Sequence, residues 1–312
     1  MKISLKFALT AFFVGIILGL GISPWTDTKP QKVITSPLSL THAKTLAQKN
    51  TPLQKPKHTS LSMKQYFTLF DQEQERKSSP QILGDKTAKP PVSQKKGSVT
   101  IALVGDSMVD TMGTDLPYLN KALKEYYPNM QFNLLNYGIG AETVIKAAER
   151  INSAYTYKDR SYPKITEANP QVVIVESFAY NPLEENQGGK ANYRHHLQSV
   201  IQKLHESRAK VVFLATISPV KQNFGKGPGG VNWDTSTAWN HATKIQSYLE
   251  EGLKVAREMN LPTIDCYHPT LLSTGEGIAK YVSSHDGIHP SEAGHTYVAN
   301  EIAQALGRLQ IF

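Results

Sequence analysis

From residue 97 onward, short and nearly continuous apolar runs alternate with longer stretches of helical period. Runs at 99–104, 132–136, 172–175, 211–215 and 263–266 predict five strands. Helices are predicted at 116–127, 193–207 and 237–259; in the last, apolar residues fall at 245, 248, 249, 252, 253 and 256. A further helix is expected after Ser291, running through Tyr297, Val298, Ile302 and Leu306. Strands without polar alternation, separated by helices, predict an α/β fold: a parallel sheet covered on both faces, in three α/β/α layers. In such sheets chemistry collects at the carboxyl ends of the strands.

The first 96 residues read differently. Lys2 and Lys6 precede an uncharged stretch over 7–25, close to the ~20 apolar residues that span a bilayer. Gly21-Ile22-Ser23 resembles a signal-peptidase site, but Pro24 follows it directly. An uncleaved membrane anchor over 1–26 is therefore favoured over secretion after cleavage. Positive charge before the span predicts that the remainder lies outside the cytoplasm. Residues 27–96 are rich in Lys, Thr, Ser, Gln and Pro and predict a largely disordered linker. Within it, apolar residues at 63, 66, 67 and 70 have helical spacing, fitting a short helix or a transient one. The third segment, 97–312, is the expected catalytic domain.

Charge follows the same division. Residues 27–96 hold 13 Lys and Arg against 5 Asp and Glu, whereas residues 97–312 hold 19 against 21. The net charge of +8 thus belongs to the N-terminal region, and the folded part lacks the basic stripe of a nucleic-acid binder. A basic linker suits an anionic membrane or cell wall. The single cysteine, Cys266, cannot form an intramolecular disulfide and is expected to pack as a small hydrophobe.

Two motifs carry candidate chemistry. Gly105-Asp106-Ser107 ends the first predicted strand, and Asp286-Gly287-Ile288-His289 precedes the C-terminal helix. A serine on a strand-to-helix turn is exposed and lies near unpaired backbone N–H groups; alone, it could equally be a helix cap. An aspartate three residues before a histidine can reach the ring and fix its tautomer. Together they supply nucleophile, base and orienting acid. His285 beside Asp286 raises a metal reading, but three ligands in one loop lack the usual distant partners, so no metal or cofactor is expected.

These blocks resemble the SGNH, or GDSL-type, serine esterase superfamily over about residues 98–308. The resemblance implies a flavodoxin-like SGNH hydrolase fold, with Ser107 as nucleophile, His289 as base and Asp286 as its orienting acid. In the family's second block a backbone amide joins the oxyanion hole. Here the block reads Asn136-Tyr137-Gly138-Ile139-Gly140-Ala141-Glu142-Thr143, so Ala141 stands where the donor glycine falls, with Gly140 one position earlier. An alanine keeps that role if its φ is negative. The third block keeps only an asparagine, Asn181, as side-chain donor, within Glu176-Ser-Phe-Ala-Tyr-Asn181-Pro. The oxyanion hole is thus expected from Ser107, Gly140 or Ala141, and Asn181.

The expected activity is hydrolysis of an acyl ester, short-chain or acetyl, with an acylated cell-wall or surface glycan as substrate. An O-acyltransferase and an inactive surface-binding module are the alternatives. Elsewhere, Glu176 is expected to salt-bridge, and His268 and His295 are set aside for want of an aspartate at matching spacing. The glycine-rich segment 224–233 is read as a mobile rim. Trp233 and Trp239 are read as packing residues, with sugar stacking as the alternative.

Overall fold

The computed structural model describes Ser93 and residues 95–311, Asp159 excepted. The expected anchor, and the linker apart from its last residues, lie outside the described residues, as does the short helix near 63–70. Among the described residues no helix is long and apolar enough to cross a membrane.

The five predicted strands form one parallel sheet: β1 (Gly97–Gly105), β2 (Met130–Gly138), β5 (Val172–Glu176), β6 (Lys210–Ala215) and β7 (Thr263–Asp265). Its order is β2-β1-β5-β6-β7, so β1 and β5 are flanked on both sides. All five residues of β5 are buried, as an apolar strand in a covered sheet requires. A two-stranded antiparallel hairpin, β3 (Tyr155–Tyr157) and β4 (Arg160–Tyr162), was not expected from sequence.

The helices are α1 (Ser107–Asp110), α2 (Pro117–Tyr126), α3 (Val144–Arg150), α4 (Ile165–Ala168), α5 (Gly189–His205), α6 (Thr235–Glu258) and α7 (Glu292–Arg308). They pack as two groups: α2 with α7, and α3 with α5, which also meets α6. Each long helix buries the stripe its period presents; in α6 this includes Ile245, Tyr248, Leu249, Leu253 and Ala256. Cys266 is fully buried, and burial pushes its thiol well above the ordinary range, in keeping with an inert packing role.

Two glycines let β1 and β2 turn tightly around α1. A Cβ on Gly105 would stand 2.5 Å from Val109 Cγ2, and one on Gly138 would stand 2.3 Å from the Asp110 amide nitrogen. Asn136 completes this junction: its Nδ2 donates to the carbonyls of Val109 (3.0 Å) and Gly113 (2.8 Å), and its Oδ1 accepts from Gly138 N (2.8 Å). The ends of β1 and β2 are therefore locked to the helix that begins at Ser107.

Candidate active site

Ser107 is the first residue of α1, directly beyond β1, and is partly exposed. Asp106 caps the helix, accepting from Met108 N at 2.8 Å. Its other carboxylate oxygen accepts from Asn181 Nδ2 at 2.9 Å. That bond brings Asn181, beyond the end of β5, to the residue beside the nucleophile. Burial raises Asp106 from 3.8 to about 6, against the lowering effect of the Met108 and Asn181 hydrogen bonds and of the His289 charge.

On the other side of the turn, His289 Nδ1 lies 2.8 Å from Asp286 Oδ2. Asp286 Oδ1 accepts from the amides of Ile288 (2.8 Å) and His289 (3.0 Å). Partial burial pushes the Asp286 carboxyl up, but the His289 side chain and these two amides outweigh it and hold it below the ordinary value. An ionised Asp286 keeps the proton on Nδ1 and leaves Nε2 as the basic atom. Among the described residues no hydrogen bond joins Ser107 to His289. Such bonds often tighten only when substrate is bound.

The second block departs from expectation at both candidate donors. The Gly140 amide already donates to Tyr157 Oη at 3.0 Å, so it is engaged by the β3–β4 hairpin. Ala141 has φ of 56°, so the condition of a negative φ is not met, while its amide has no partner among the described residues. Glu142, in the same block, is buried against Arg150, which also donates to Tyr137 O and Tyr155 Oη. This buried ion pair fastens the block to α3 and the hairpin.

Glu176 corrects another expectation. It forms no salt bridge among the described residues; it is 1 % exposed and accepts from Ser177 Oγ (2.5 Å) and Phe178 N (2.8 Å). Burial first, and the neighbouring Asp106 charge second, raise its carboxyl well above the ordinary value. Asp106 and Glu176 are thus two buried acids whose carboxyls are both raised, chiefly by burial.

His268 does have an aspartate at the matching spacing, contrary to the ground on which it was set aside. Asp265 precedes it by three residues, and Nδ1 lies 2.6 Å from Asp265 Oδ2 while Nε2 lies 3.1 Å from Glu250 Oε1. Both of its ring nitrogens are taken by carboxylates, so this second Asp-x-x-His ties β7 to α6 and offers no free basic atom. His295 is 7 % exposed, stacks on Tyr118 with ring centroids 5.3 Å apart, and is held down to about 4 by burial and the His289 charge. The hairpin contact of Tyr157 was also missed; its only signal was the run of aromatic and basic residues between 155 and 162.

The model of the GDSL-like Lipase/Acylhydrolase family matches residues 103–297, from within β1 to within α7. The chain belongs to that family. It is a family of ester-hydrolysing serine hydrolases, and the match spans both outer motifs. This acylhydrolase-family chain is 23 % identical over 229 residues to an acetylxylan esterase of Xylanibacter ruminicola, covering 68 % of this chain and 44 % of that protein. It thus spans less than half the length of that curated relative. Among solved structures it is similar to a lipase/acylhydrolase of Enterococcus faecalis, at 20 % identity and TM-score 0.49, covering 67 % of this chain and 96 % of that one. It is similar also to a catalytic mutant of an acetylxylan esterase of Geobacillus stearothermophilus, at 16 % identity and TM-score 0.48, covering 69 % and 97 %.

Proposed function

We propose that this protein is a serine esterase that removes short acyl groups, acetyl foremost, from a carbohydrate. The observation that carries the reading is that Asp106 both caps the Ser107 helix and holds Asn181, in a chain whose Asp286 already holds His289 Nδ1 at 2.8 Å.

In the proposed mechanism His289 Nε2 takes the Ser107 proton as Oγ attacks the ester carbonyl, then returns it to the leaving alcohol. A water activated by the same nitrogen hydrolyses the acyl-enzyme. Asp286 stabilises the imidazolium. The amides of Ser107 and Ala141, the latter without a partner among the described residues despite its positive φ, and the Nδ2 of Asn181 stabilise the oxyanion, each such donor being worth about 3–4 kcal/mol in the transition state. Asn181 has two N–H bonds, so one can stay on Asp106 while the other meets the oxyanion. The chemistry needs no metal or cofactor.

Two facts support a carbohydrate acyl ester. The relatives named above include acetylxylan esterases. Trp239, expected to pack, is instead 39 % exposed near the start of α6, with the Lys221 ammonium 5.3 Å from its ring centroid. Trp233 packs on Phe224 and His241. The two helix groups on the sheet support the three-layer, flavodoxin-like arrangement. Anchoring through residues 1–26, with the catalytic domain outside the cytoplasm, rests on the sequence alone. The test is acetate release from acetylated xylo-oligosaccharides by the full chain. Release is expected; hydrolysis of nitrophenyl acetate without deacetylation of any glycan would refute the carbohydrate part of the reading.

A further inference from the structure

The segment from Phe224 to Trp233 contains five residues, Gly225, Gly227, Pro228, Gly229 and Gly230, that suggested a mobile rim. Its hydrogen bonds are those of a fixed element. Asn232 Nδ2 donates to the carbonyls of Gly227 (2.9 Å) and Gly230 (3.1 Å), and the Asn232 amide donates to Gly225 O (2.8 Å). Lys226 Nζ donates to the Trp233 carbonyl, and the rings of Phe224 and Trp233 both pack on His241 of α6.

What this element presses on is the backbone of the loop that carries the base. Gly225 N donates to Gly287 O at 3.1 Å, and Gly229 N donates to His285 O at 2.8 Å. A Cβ on Gly227 would stand 2.3 Å from His285 O and 2.6 Å from Ser284 O; one on Gly230 would stand 2.2 Å from Gly225 O and 2.8 Å from Asp286 O. From the other side, a Cβ on Gly287 would stand 2.2 Å from Asn223 O. Two main chains meet with no room for a side chain, and they meet within the five residues that precede His289. Glycine supplies close approach here, not mobility.

We propose that residues 223–232 are a strap that sets the position of Asp286 and hence of the His289 base. Phe224 also lies against Tyr180, with centroids 6.5 Å apart, and Tyr180 adjoins Asn181. One segment therefore spans from the base loop to the oxyanion side of the site. These are positioning contacts: no strap residue is assigned to touch substrate. The proposal rests on the esterase reading for its effect on rate, but not for its effect on His289.

The glycines themselves provide a graded test in the full chain. Gly227→Ala and Gly230→Ala each push a methyl into backbone oxygens that cannot swing aside. Gly229→Ala meets only the far end of the exposed His285 side chain, its Cβ standing 2.3 Å from Nε2, and that side chain can move. The readouts are the proton resonance of the His289 Nδ1–H facing Asp286, and kcat and KM on nitrophenyl acetate. Gly230→Ala and Gly227→Ala should displace or broaden that resonance and lower kcat by about tenfold to a hundredfold with KM within about twofold of wild type. Gly229→Ala should match wild type in both. Pro228→Gly adds no atom and loosens the strap; it should shift the same resonance more weakly, and it serves if the alanine variants do not fold. A moved resonance in a protein whose wild type cleaves no ester would sustain the strap and refute the esterase reading. Folded Gly230→Ala or Pro228→Gly with an unmoved resonance overturns the strap, whatever happens to the rate.

Discussion

Asn181 donates from Nδ2 to Asp106 Oδ2 at 2.9 Å, so the proposed oxyanion donor is held by the residue that precedes the nucleophile. Removing the donor by Asn181→Ala should lower kcat by about 10²–10³ with little change in KM. Asp106→Asn leaves the helix cap an acceptor but turns an amide toward the Asn181 amide. It should also lower kcat while KM holds. Steady-state kinetics on a nitrophenyl ester series reads both effects.

Glu176 and Asp106 share a buried region, and their raised carboxyls set a pH dependence of stability. A folded-state value above the unfolded one gives stability that is fully present below the unfolded value and lost as pH rises through the folded one. For Asp106 the window runs from 3.8 to about 6; for Glu176 it starts at 4.5 and extends well above. Urea unfolding should therefore show wild type losing stability across and above this range. Glu176→Gln imitates the protonated acid and should flatten the loss while keeping activity. Glu176→Ala strands the buried Phe178 amide and should destabilise by about 1–3 kcal/mol before any cavity effect.

His268 gives a separate pH signature. Its hydrogen bonds to Asp265 first and Glu250 second raise it from 6.5 to about 10. The clamp between β7 and α6 is thus fully present below pH 6.5 and lost as pH rises toward 10. Because all three side chains are substantially exposed, the stabilisation should stay below about 1 kcal/mol. The melting-temperature gap between wild type and His268→Gln should be widest below pH 6.5 and should close near pH 10, with esterase activity unchanged.

Ala141 holds a left-handed backbone, with φ of 56°, where a side chain costs roughly 1–2 kcal/mol. Ala141→Gly relieves that strain and keeps the amide. It should preserve kcat and leave the protein equally or more stable, by up to about 1 kcal/mol, in chemical denaturation.

The parts of the fold legible in the sequence are those whose pattern is set by burial on both sides. The strand runs at 101–104 and 172–175 are apolar throughout, because the sheet is covered on both faces. The Asp286–His289 contact was equally legible, since an aspartate three residues before a histidine can reach its ring. The β3–β4 hairpin was not. Its strands are three residues long and stack through Tyr137, Tyr155 and Tyr162, a contact with no period along the chain. Glu176 differs from expectation because its partners are an amide and a hydroxyl, which sequence does not reveal, and among the described residues no cation pairs with it. The strap was misjudged because the glycines that permit close backbone contact have the same composition as those that permit motion. The Asp265–His268 pair was in plain view and passed over.

The central claim is that Ser107 is the nucleophile of an esterase. It is tested most directly by comparing initial rates of nitrophenyl acetate hydrolysis for the wild-type full chain and for Ser107→Ala, with both shown to be folded. The account predicts that wild type hydrolyses the ester and that Ser107→Ala loses at least about a thousandfold in kcat. Equal rates for the two proteins would contradict it.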